Sequence, residues 1–306
     1  MHPDSLAVKY RHYYPELKRL SRAENVITAD NVYQPANLEI RKIMDAMCED
    51  NMLPESEFRH LDYAADFLEQ IKAGKRGIIL MEHYSNFDLP GVMYLLDKSG
   101  PKGKELESRI VTIAGMKLNE ENPYVSAFAE AYSRIIIYPS RALASIKDPE
   151  LYKQEEHRSR VINLASMRAL EKIRKEGNAI LVFPSGTRFR PGMPETKRGV
   201  REIDSYIRLS DIMMLVSING NCLTFSDDPA DMMGDIIRKD KIIMTASPVY
   251  DCIAFREEAK KWDNNKTEDK KQMVVDYVMY RLEEMHEENE KGRLDGTEGA
   301  CSCPVS

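Results

Sequence analysis

The segment GIILMEHYSNFDLP, residues 77–90, marks the point where an apolar strand pattern gives way to a helical pattern. Its first residues form a continuous apolar run, as in a strand buried on both faces of a parallel sheet. A second segment, AILVFPSGTRFRPG at residues 179–192, shows a similar pattern, because its apolar run ends in a turn that contains glycine. Functional residues of α/β proteins collect where strands end. The two segments therefore predict a site at one edge of a sheet.

From residue 77 onward, short runs rich in Ile and Val alternate with helical patterns. The clearest helix is predicted over residues 157–176, with Val161, Leu164, Ala165, Leu170 and Ile173 on one side. This alternation predicts an α/β fold with a mixed, largely parallel sheet flanked by helices. The predicted strands are Gly77–Met81 and residues 109–114, 134–138, 179–183, 213–218 and 242–246.

The chain divides into three parts by pattern. Residues 1–75 space their apolar residues at three and four and show no strand signal, which predicts a small N-terminal helical domain. Residues 76–290 are predicted to be the α/β domain, with residues 221–235 as a surface loop and a closing helix over residues 267–288. Residues 291–306 are small and polar, and are predicted to be a disordered tail.

The composition excludes several classes of protein. The 306 residues are 42% hydrophobic and 31% charged, enough for one large soluble domain with an appendage. The net charge of −6 argues against broad nucleic-acid binding, so an anion site has to be a local cluster of Arg and Lys. No apolar run approaches the roughly 18 residues of a membrane span. The N-terminus lacks a signal layout, so the sequence predicts cytoplasmic residence.

The cysteines are odd in number and lack metal-ligand spacing, so they are interpreted as reduced thiols and no metal site is expected. They are Cys48, Cys222, Cys252, Cys301 and Cys303. No Walker loop, G-x-G-x-x-G or G-x-S-x-G motif occurs in the chain, which disfavours ATPase, dinucleotide-binding and common hydrolase functions.

His83 and Asp88 form the candidate catalytic pair. A neutral imidazole accepts a proton from a hydroxyl near neutral pH, and a carboxylate on its other nitrogen orients it and stabilises the imidazolium. Five residues across a strand-to-helix turn allow that contact. The alternative is that Asp88 only caps a helix that begins at Leu89-Pro90, with His83 as an ordinary strand-end residue.

Arg188 and Arg190 form the candidate anion clamp. Two residues apart in an extended segment, they project to the same side, and two guanidinium groups can hold a phosphate. Ser185, Gly186 and Thr187 precede them in a turn whose backbone N–H groups can approach a ligand or an oxyanion. Arg141 follows the strand at residues 134–138 and is a third candidate for the same anion. The alternative for all three arginines is a solvated surface position.

These residues resemble the motifs of the glycerol-3-phosphate acyltransferase family, in particular its soluble plastid-type enzymes. His83 through Asp88 is similar to the H-x-x-x-x-D block of that family, and Phe183 through Pro191 to its P-S-G-G-R-D-R-P block. The resemblance covers roughly residues 75–250. Two departures are clear: Ala142 replaces a family histidine, and Thr187 replaces a glycine. Thr187 moves the block toward the P-E-G-T-R form of 1-acylglycerol-3-phosphate acyltransferases.

The resemblance implies an enzyme of phospholipid biosynthesis. It transfers a fatty acyl group from an acyl-ACP or acyl-CoA thioester to the 1-hydroxyl of glycerol 3-phosphate. His83 is the implied base, Asp88 orients it, and Arg141, Arg188 and Arg190 bind the phosphate. No cofactor is expected, because the thioester is already activated. The alternatives are transfer to 1-acylglycerol 3-phosphate and a catalytically inactive lipid- or phosphate-binding module.

The implied partners are glycerol 3-phosphate and an acyl thioester, with no nucleic acid and at most peripheral contact with a membrane. An acyl carrier protein is acidic and needs a basic patch. The sequence offers basic residues near the start of the first predicted strand of the α/β domain as candidates for that patch. They are Lys72, Lys75, Arg76, Lys102 and Lys104.

Overall fold

The computed structural model describes residues 2–22, 24, 26–116, 118, 123–226, 231–263 and 267–294. Its helices are α1 (Leu6–Lys9), α2 (Tyr14–Leu20), α3 (Leu38–Asn51), α4 (Leu61–Lys72), α5 (Asp88–Lys98), α6 (Gly100–Ser108), α7 (Pro123–Ala129), α8 (Ser140–Ala144), α9 (Pro149–Lys175), α10 (Ile203–Arg208), α11 (Cys252–Lys261) and α12 (Lys270–Leu294). Short 3-10 helices span Arg11–Tyr13 and Pro194–Lys197.

The strands are β1 (Tyr33–Gln34), β2 (Glu57–Arg59), β3 (Gly77–Met81), β4 (Ile110–Gly115), β5 (Arg134–Ile137), β6 (Ala179–Val182), β7 (Ile212–Asn219), β8 (Leu223–Thr224), β9 (Ile236–Ile237), β10 (Ile243–Ala246) and β11 (Tyr250–Asp251). Nine of them form one sheet in the order β1-β5-β4-β6-β3-β7-β10-β2, with β11 beside β7. The central strands β5, β4, β6, β3 and β7 are parallel to one another. Strands β1, β10 and β11 pair antiparallel with β5 or β7. The predicted fold class, mixed and largely parallel, is confirmed.

Helices cover both faces of the sheet, which is why its central strands are largely apolar. Ile79 and Met81 of β3 pack on one side against α3, α4 and α5. Ile78 and Leu80 pack on the other side against α9, α10 and α12. A strand that is buried on both faces shows no alternation, and β3 reads as a continuous apolar run for this reason.

The N-terminal segment is more closely joined to the sheet than the sequence pattern predicted. The expectation that residues 1–75 contain no strand is wrong, because β1 pairs with β5 and β2 runs parallel to β10. The helices of this segment share one core with the sheet residues Ile79 and Met81. Strands of two and three residues are too short to show an alternation of apolar and polar residues, so the helical spacing of the surrounding residues dominated the prediction. The division into domains at residue 75 stays a prediction.

The segment 56–74 shows why that pattern misled. Helix α4 begins only at Leu61, since His60 adopts a left-handed backbone with φ of 60° and separates the helix from β2. Phe58, which looked like part of the helical stripe, is a buried strand residue opposite Met244 of β10. Tertiary pairing therefore overrode the local helical spacing.

Two other predictions need correction. The segment 221–235 is not simply a surface loop, because β8 pairs with β9 across it and Asp235 is 0% exposed. Helix α12 continues to Leu294, so the first residues of the predicted tail are helical. Residues 295–306, with Cys301 and Cys303, lie outside the described residues. Within the described ranges, no helix is both long enough and apolar enough to cross a bilayer.

Candidate active site

The two motif segments meet at the carboxyl edge of the sheet. Strands β3 and β6 are parallel neighbours, with Leu80 opposite Val182, so the residues that follow them emerge side by side. The His83 ring stacks on the Phe183 ring, with centroids 4.0 Å apart and an angle of 17° between the planes. The backbone N–H of Phe189 donates to the His83 carbonyl at 2.8 Å. The segments that the sequence singled out are therefore in direct contact.

His83 and Asp88 form a hydrogen-bonded pair. Nδ1 of His83 lies 2.9 Å from Oδ2 of Asp88, whose side chain is only 5% exposed. Asp88 also accepts from the backbone N–H groups of Tyr84 and Ser85, at 2.5 and 2.8 Å, and from Ser85 Oγ at 2.9 Å. The carboxylate is thus held rigidly, and it leaves Nε2 as the ring nitrogen that can take a proton.

The capping alternative for Asp88 does not fit this geometry. Helix α5 begins at Asp88 itself, and Phe87 occupies the N-cap position without a side-chain bond. The Asp88 carboxylate bonds backward, to the amides of the turn that carries His83. The Asp88 carboxylate therefore stabilises the segment that carries His83 and orients the imidazole, and it does not cap helix α5.

A cavity of about 470 Å³ opens beside His83. Its wall is mainly apolar, with Leu170 of α9, Val182 of β6 and Ile203 of α10 among its lining residues. Arg141, which is exposed at the start of α8, lines the same cavity. His83 and Arg141 therefore share one cavity, whereas Arg188 and Arg190 are outside its lining.

Arg188 is buried and already paired. Its guanidinium forms an ion pair with Asp235, and the two side chains are 7% and 1% exposed. It also lies 4.6 Å from the centroid of the Phe225 ring. Asn86 donates to the same Asp235 oxygen at 3.3 Å, which links Arg188 to the segment that carries His83. Burial raises the pKa of Asp235, and the charge of Arg188 opposes that rise.

Arg190, unlike Arg188, has a guanidinium group without an ion-pair partner among the described residues. Its backbone N–H donates to Thr196 Oγ1 at 2.9 Å, which fixes the chain at this point. Nε of Arg190 is buried without a hydrogen bond, and no carboxylate of the described part of the chain pairs with its guanidinium. A half-buried, unpaired guanidinium is a suitable ligand for an anion.

Some of the polar groups of the turn at residues 185–187 form hydrogen bonds within the turn itself. Gly186 has a φ of 64°, a conformation that favours glycine, and its N–H donates to the Phe183 carbonyl at 3.0 Å. Ser185 Oγ donates to the Thr187 carbonyl at 2.6 Å. The Gly186 amide is therefore not available to an oxyanion. The backbone N–H groups of Ser185 and Thr187 have no acceptor among the residues that the structure describes.

Sequence reasoning missed a second histidine–carboxylate pair directly behind the first. Glu82 Oε2 lies 3.1 Å from Nδ1 of His286 on α12 and accepts from the Ile218 N–H at 2.8 Å. Tyr84 donates to Oε1 of Glu82 at 2.7 Å. Burial opposes protonation of His286, but the hydrogen bond and the charge of Glu82 prevail and raise its pKa. The available signal was a glutamate at the end of an apolar strand, directly before His83.

We expect His286→Gln to remove a pH-dependent part of the stability. Because the folded-state pKa of His286 is raised, its contribution is full below the ordinary value of about 6.5 and is lost as the pH rises through the raised pKa. The thermal midpoints of the wild type and the variant should therefore converge as the pH rises above about 6.5. The exposed His12→Gln is the matched control. A difference that does not change with pH would contradict this assignment.

The predicted basic patch for a carrier protein does not form an open cationic surface. Lys72 pairs with Glu105 at 2.8 Å, Arg76 with Asp211 at 2.6 Å, and Lys104 with Asp97 at 3.1 Å. Lys102 pairs with Glu69, and Lys75 donates to Gln70. Arg76 directly precedes β3, so this group lies at the edge of the sheet opposite His83. Nearby carboxylates therefore pair with four of these five cations, a pairing that the sequence pattern did not show.

Comparison with known proteins identifies the family. A family profile described as Acyltransferase matches residues 64–233, which is more than half of the chain. A search of curated proteins found no match. The solved structure of the 1-acyl-sn-glycerophosphate (LPA) acyltransferase PlsC from Thermotoga maritima is similar over 81% of this chain and 78% of that chain. Its TM-score is 0.41 and its sequence identity 16%, values that carry no conclusion about substrate.

Proposed function

Because this chain belongs to the acyltransferase family, we propose that it transfers a fatty acyl group from an acyl-ACP or acyl-CoA thioester to the 1-hydroxyl of glycerol 3-phosphate. The observation that carries the proposal is the His83–Asp88 pair, hydrogen-bonded at 2.9 Å and in contact with the arginine-bearing turn. A base beside an anion site suits an acceptor that has both a hydroxyl and a phosphate.

In the proposed reaction, Nε2 of His83 takes the proton of the acceptor hydroxyl as its oxygen attacks the thioester carbonyl. Asp88 stabilises the imidazolium that forms, through its bond to Nδ1. The tetrahedral intermediate then expels the thiolate, which takes the proton back from Nε2, so the products are an ester and a free thiol. The N–H groups of Ser185 and Thr187 are the proposed donors to the oxyanion.

Arg190 is the first proposed ligand of the phosphate, with Arg141 as the second, because neither has a carboxylate partner in the described residues. Arg188 holds Asp235 instead, and its proposed contribution to acceptor binding requires the phosphate to share that ion pair. This differs from the equal roles that the sequence resemblance implied for Arg188 and Arg190.

We expect Arg190→Ala to raise the KM for the phosphorylated acceptor by about 10- to 150-fold with a small effect on kcat, since hydrogen bonds to charged groups contribute about 1.5–3 kcal/mol. Steady-state kinetics with the acceptor varied at saturating thioester measure this. Arg198→Ala, an exposed arginine of the same segment, is the matched control. A lower kcat with an unaltered KM would show that Arg190 does not bind the acceptor.

A second candidate acceptor is 1-acylglycerol 3-phosphate. Thr187 favours it, because that residue matches the P-E-G-T-R form, and so does the apolar wall of the cavity beside His83, which suits an acyl chain. Purified protein incubated with one labelled thioester and each acceptor in turn separates the two proposals. Ester formed from glycerol 3-phosphate supports the first, and ester formed only from the acylated acceptor supports the second.

The same incubation tests the remaining alternative, an inactive binding module. Absence of ester with both acceptors, together with binding of glycerol 3-phosphate by the folded protein, would replace the proposed activity with phosphate binding. The intact hydrogen bonds around Asp88 count against this alternative, since a module that only binds has no need of an oriented imidazole.

A further inference from the structure

Helix α9 has apolar side chains on the side that faces away from the sheet. Ile162 and Leu170 pack inward and are 1% and 2% exposed. Val161, Leu164 and Met167 are 43%, 55% and 40% exposed. The sequence pattern placed Val161 and Leu164 on the same side as Leu170, and for these two residues it is wrong. The outer side of a surface helix is normally polar, so three exposed apolar residues need a reason.

Basic residues continue this exposed row in both directions along the helix. Lys153, His157, Val161, Leu164, Arg168 and Lys172 follow one another at intervals of three and four residues and so share one face, which we call the docking stripe. Lys153, Arg168 and Lys172 are exposed, and none of them has an ion-pair partner in the described part of the protein.

Two of the acidic residues next to the docking stripe are already neutralised, whereas Glu150 and Glu176, at the two ends of α9, have no ion-pair partner in the described residues. Glu156 pairs with Arg160 at 2.9 Å, and Glu171 with Lys175 at 3.5 Å. The whole chain carries a net charge of −6, so the positive charge of the docking stripe is a local property of α9. An apolar centre between unpaired cations complements a surface with anionic groups above an apolar layer.

The docking stripe adjoins the cavity that His83 lines. Met167 is exposed beside Leu164 and also lines the cavity, together with Ser166 and Leu170 of the same helix. A surface that holds α9 therefore lies next to an apolar space that reaches the candidate base. A long acyl chain could pass between the two without crossing a wide layer of water.

We propose that helix α9 docks this protein on the surface of an anionic lipid bilayer through the docking stripe. Val161 and Leu164 enter the boundary between headgroups and acyl chains, and Lys153, Arg168 and Lys172 contact anionic headgroups. This goes beyond the proposed function, because it holds whichever acceptor is used and is tested without any turnover.

Cosedimentation with vesicles tests the docking stripe. The wild type is expected to bind vesicles of phosphatidylglycerol and phosphatidylcholine more tightly than vesicles of phosphatidylcholine alone. Arg168→Gln with Lys172→Gln should weaken that binding about 30-fold, since each basic residue near an anionic surface contributes about fivefold. Val161→Ser with Leu164→Ser should weaken it by at least about tenfold through lost apolar burial.

Matched controls come from another exposed helix. Ile253→Ser, at a residue of α11 that is 74% exposed, and Lys261→Gln should bind vesicles as the wild type does. All variants should retain the wild-type thermal midpoint, because the substituted side chains are exposed. Equal binding of the wild type to both kinds of vesicle, or unchanged binding of both stripe variants, would overturn the proposal. Loss of binding to an acyl carrier protein, with vesicle binding retained, would assign the stripe to that protein instead.

Discussion

His83→Ala is expected to lower the kcat of acyl transfer by about 10²- to 10⁴-fold, the usual contribution of a positioned general base. The physical reason is that Nε2 of His83 is the proposed proton acceptor, while Nδ1 is held by Asp88 at 2.9 Å. Removing the ring leaves the acceptor hydroxyl without a base. The measurement is steady-state transfer from the thioester to the better of the two acceptors, at saturating concentrations of both substrates.

The variant His12→Ala is the control for that loss, because His12 is an exposed histidine of the N-terminal segment. The fold should survive in His83→Ala, although the stacking of the ring on Phe183 is lost, and near-ultraviolet circular dichroism checks this. Turnover of folded His83→Ala at the wild-type rate would refute the assignment of His83 as the base.

Arg188→Ala is expected to destabilise the protein by about 3–5 kcal/mol, the usual result when one partner of a buried ion pair is removed. The reason is that Asp235, with a side chain only 1% exposed, would be left as a buried carboxylate without its partner. Unfolding in urea, followed by circular dichroism, gives the change in free energy.

The double variant Arg188→Met with Asp235→Leu is the control for this prediction. Apolar side chains of similar volume often replace a buried ion pair without net loss, so the double variant should recover most of the stability. A single variant as stable as the wild type would show that the pair does not bury its charges. The recovered fold also allows acceptor binding to be measured without Arg188, since unfolding no longer confounds the comparison.

The central sheet was predictable from sequence because its strands have the strongest local signal. The predicted runs at residues 77–81, 179–183 and 213–218 correspond to β3, β6 and β7, and their boundaries differ by at most one residue. A short run of apolar residues between polar turns is typical of a buried strand. Parallel strands bring their carboxyl ends to one edge, so fold class predicts that edge, and the adjacency of β3 and β6 in the structure then puts the His83 and Phe183 segments in contact.

The partner of Arg188 could not be predicted in the same way. Asp235 lies 47 residues further along the chain, in a segment whose polar residues read as a solvated loop. A pattern of polar residues gives no sign of whether they face water or one another, because the partners of Asp235, Asn86 and Arg188, come from distant parts of the chain. The same reasoning applies to His286. The helical spacing predicts which side of α12 carries His286, but it does not predict that Glu82 lies opposite.

The side chain of Glu82 continues the sheet beyond the end of β3. Its backbone N–H donates to the Val216 carbonyl at 3.2 Å and its carboxylate accepts from the Ile218 N–H, so two bonds of the ladder enclose the residue next to His83. Local opening of native proteins concentrates in loops with few such bonds. We therefore expect the central sheet to hold the segment that carries the imidazole, so that His83 keeps its orientation while loops elsewhere open.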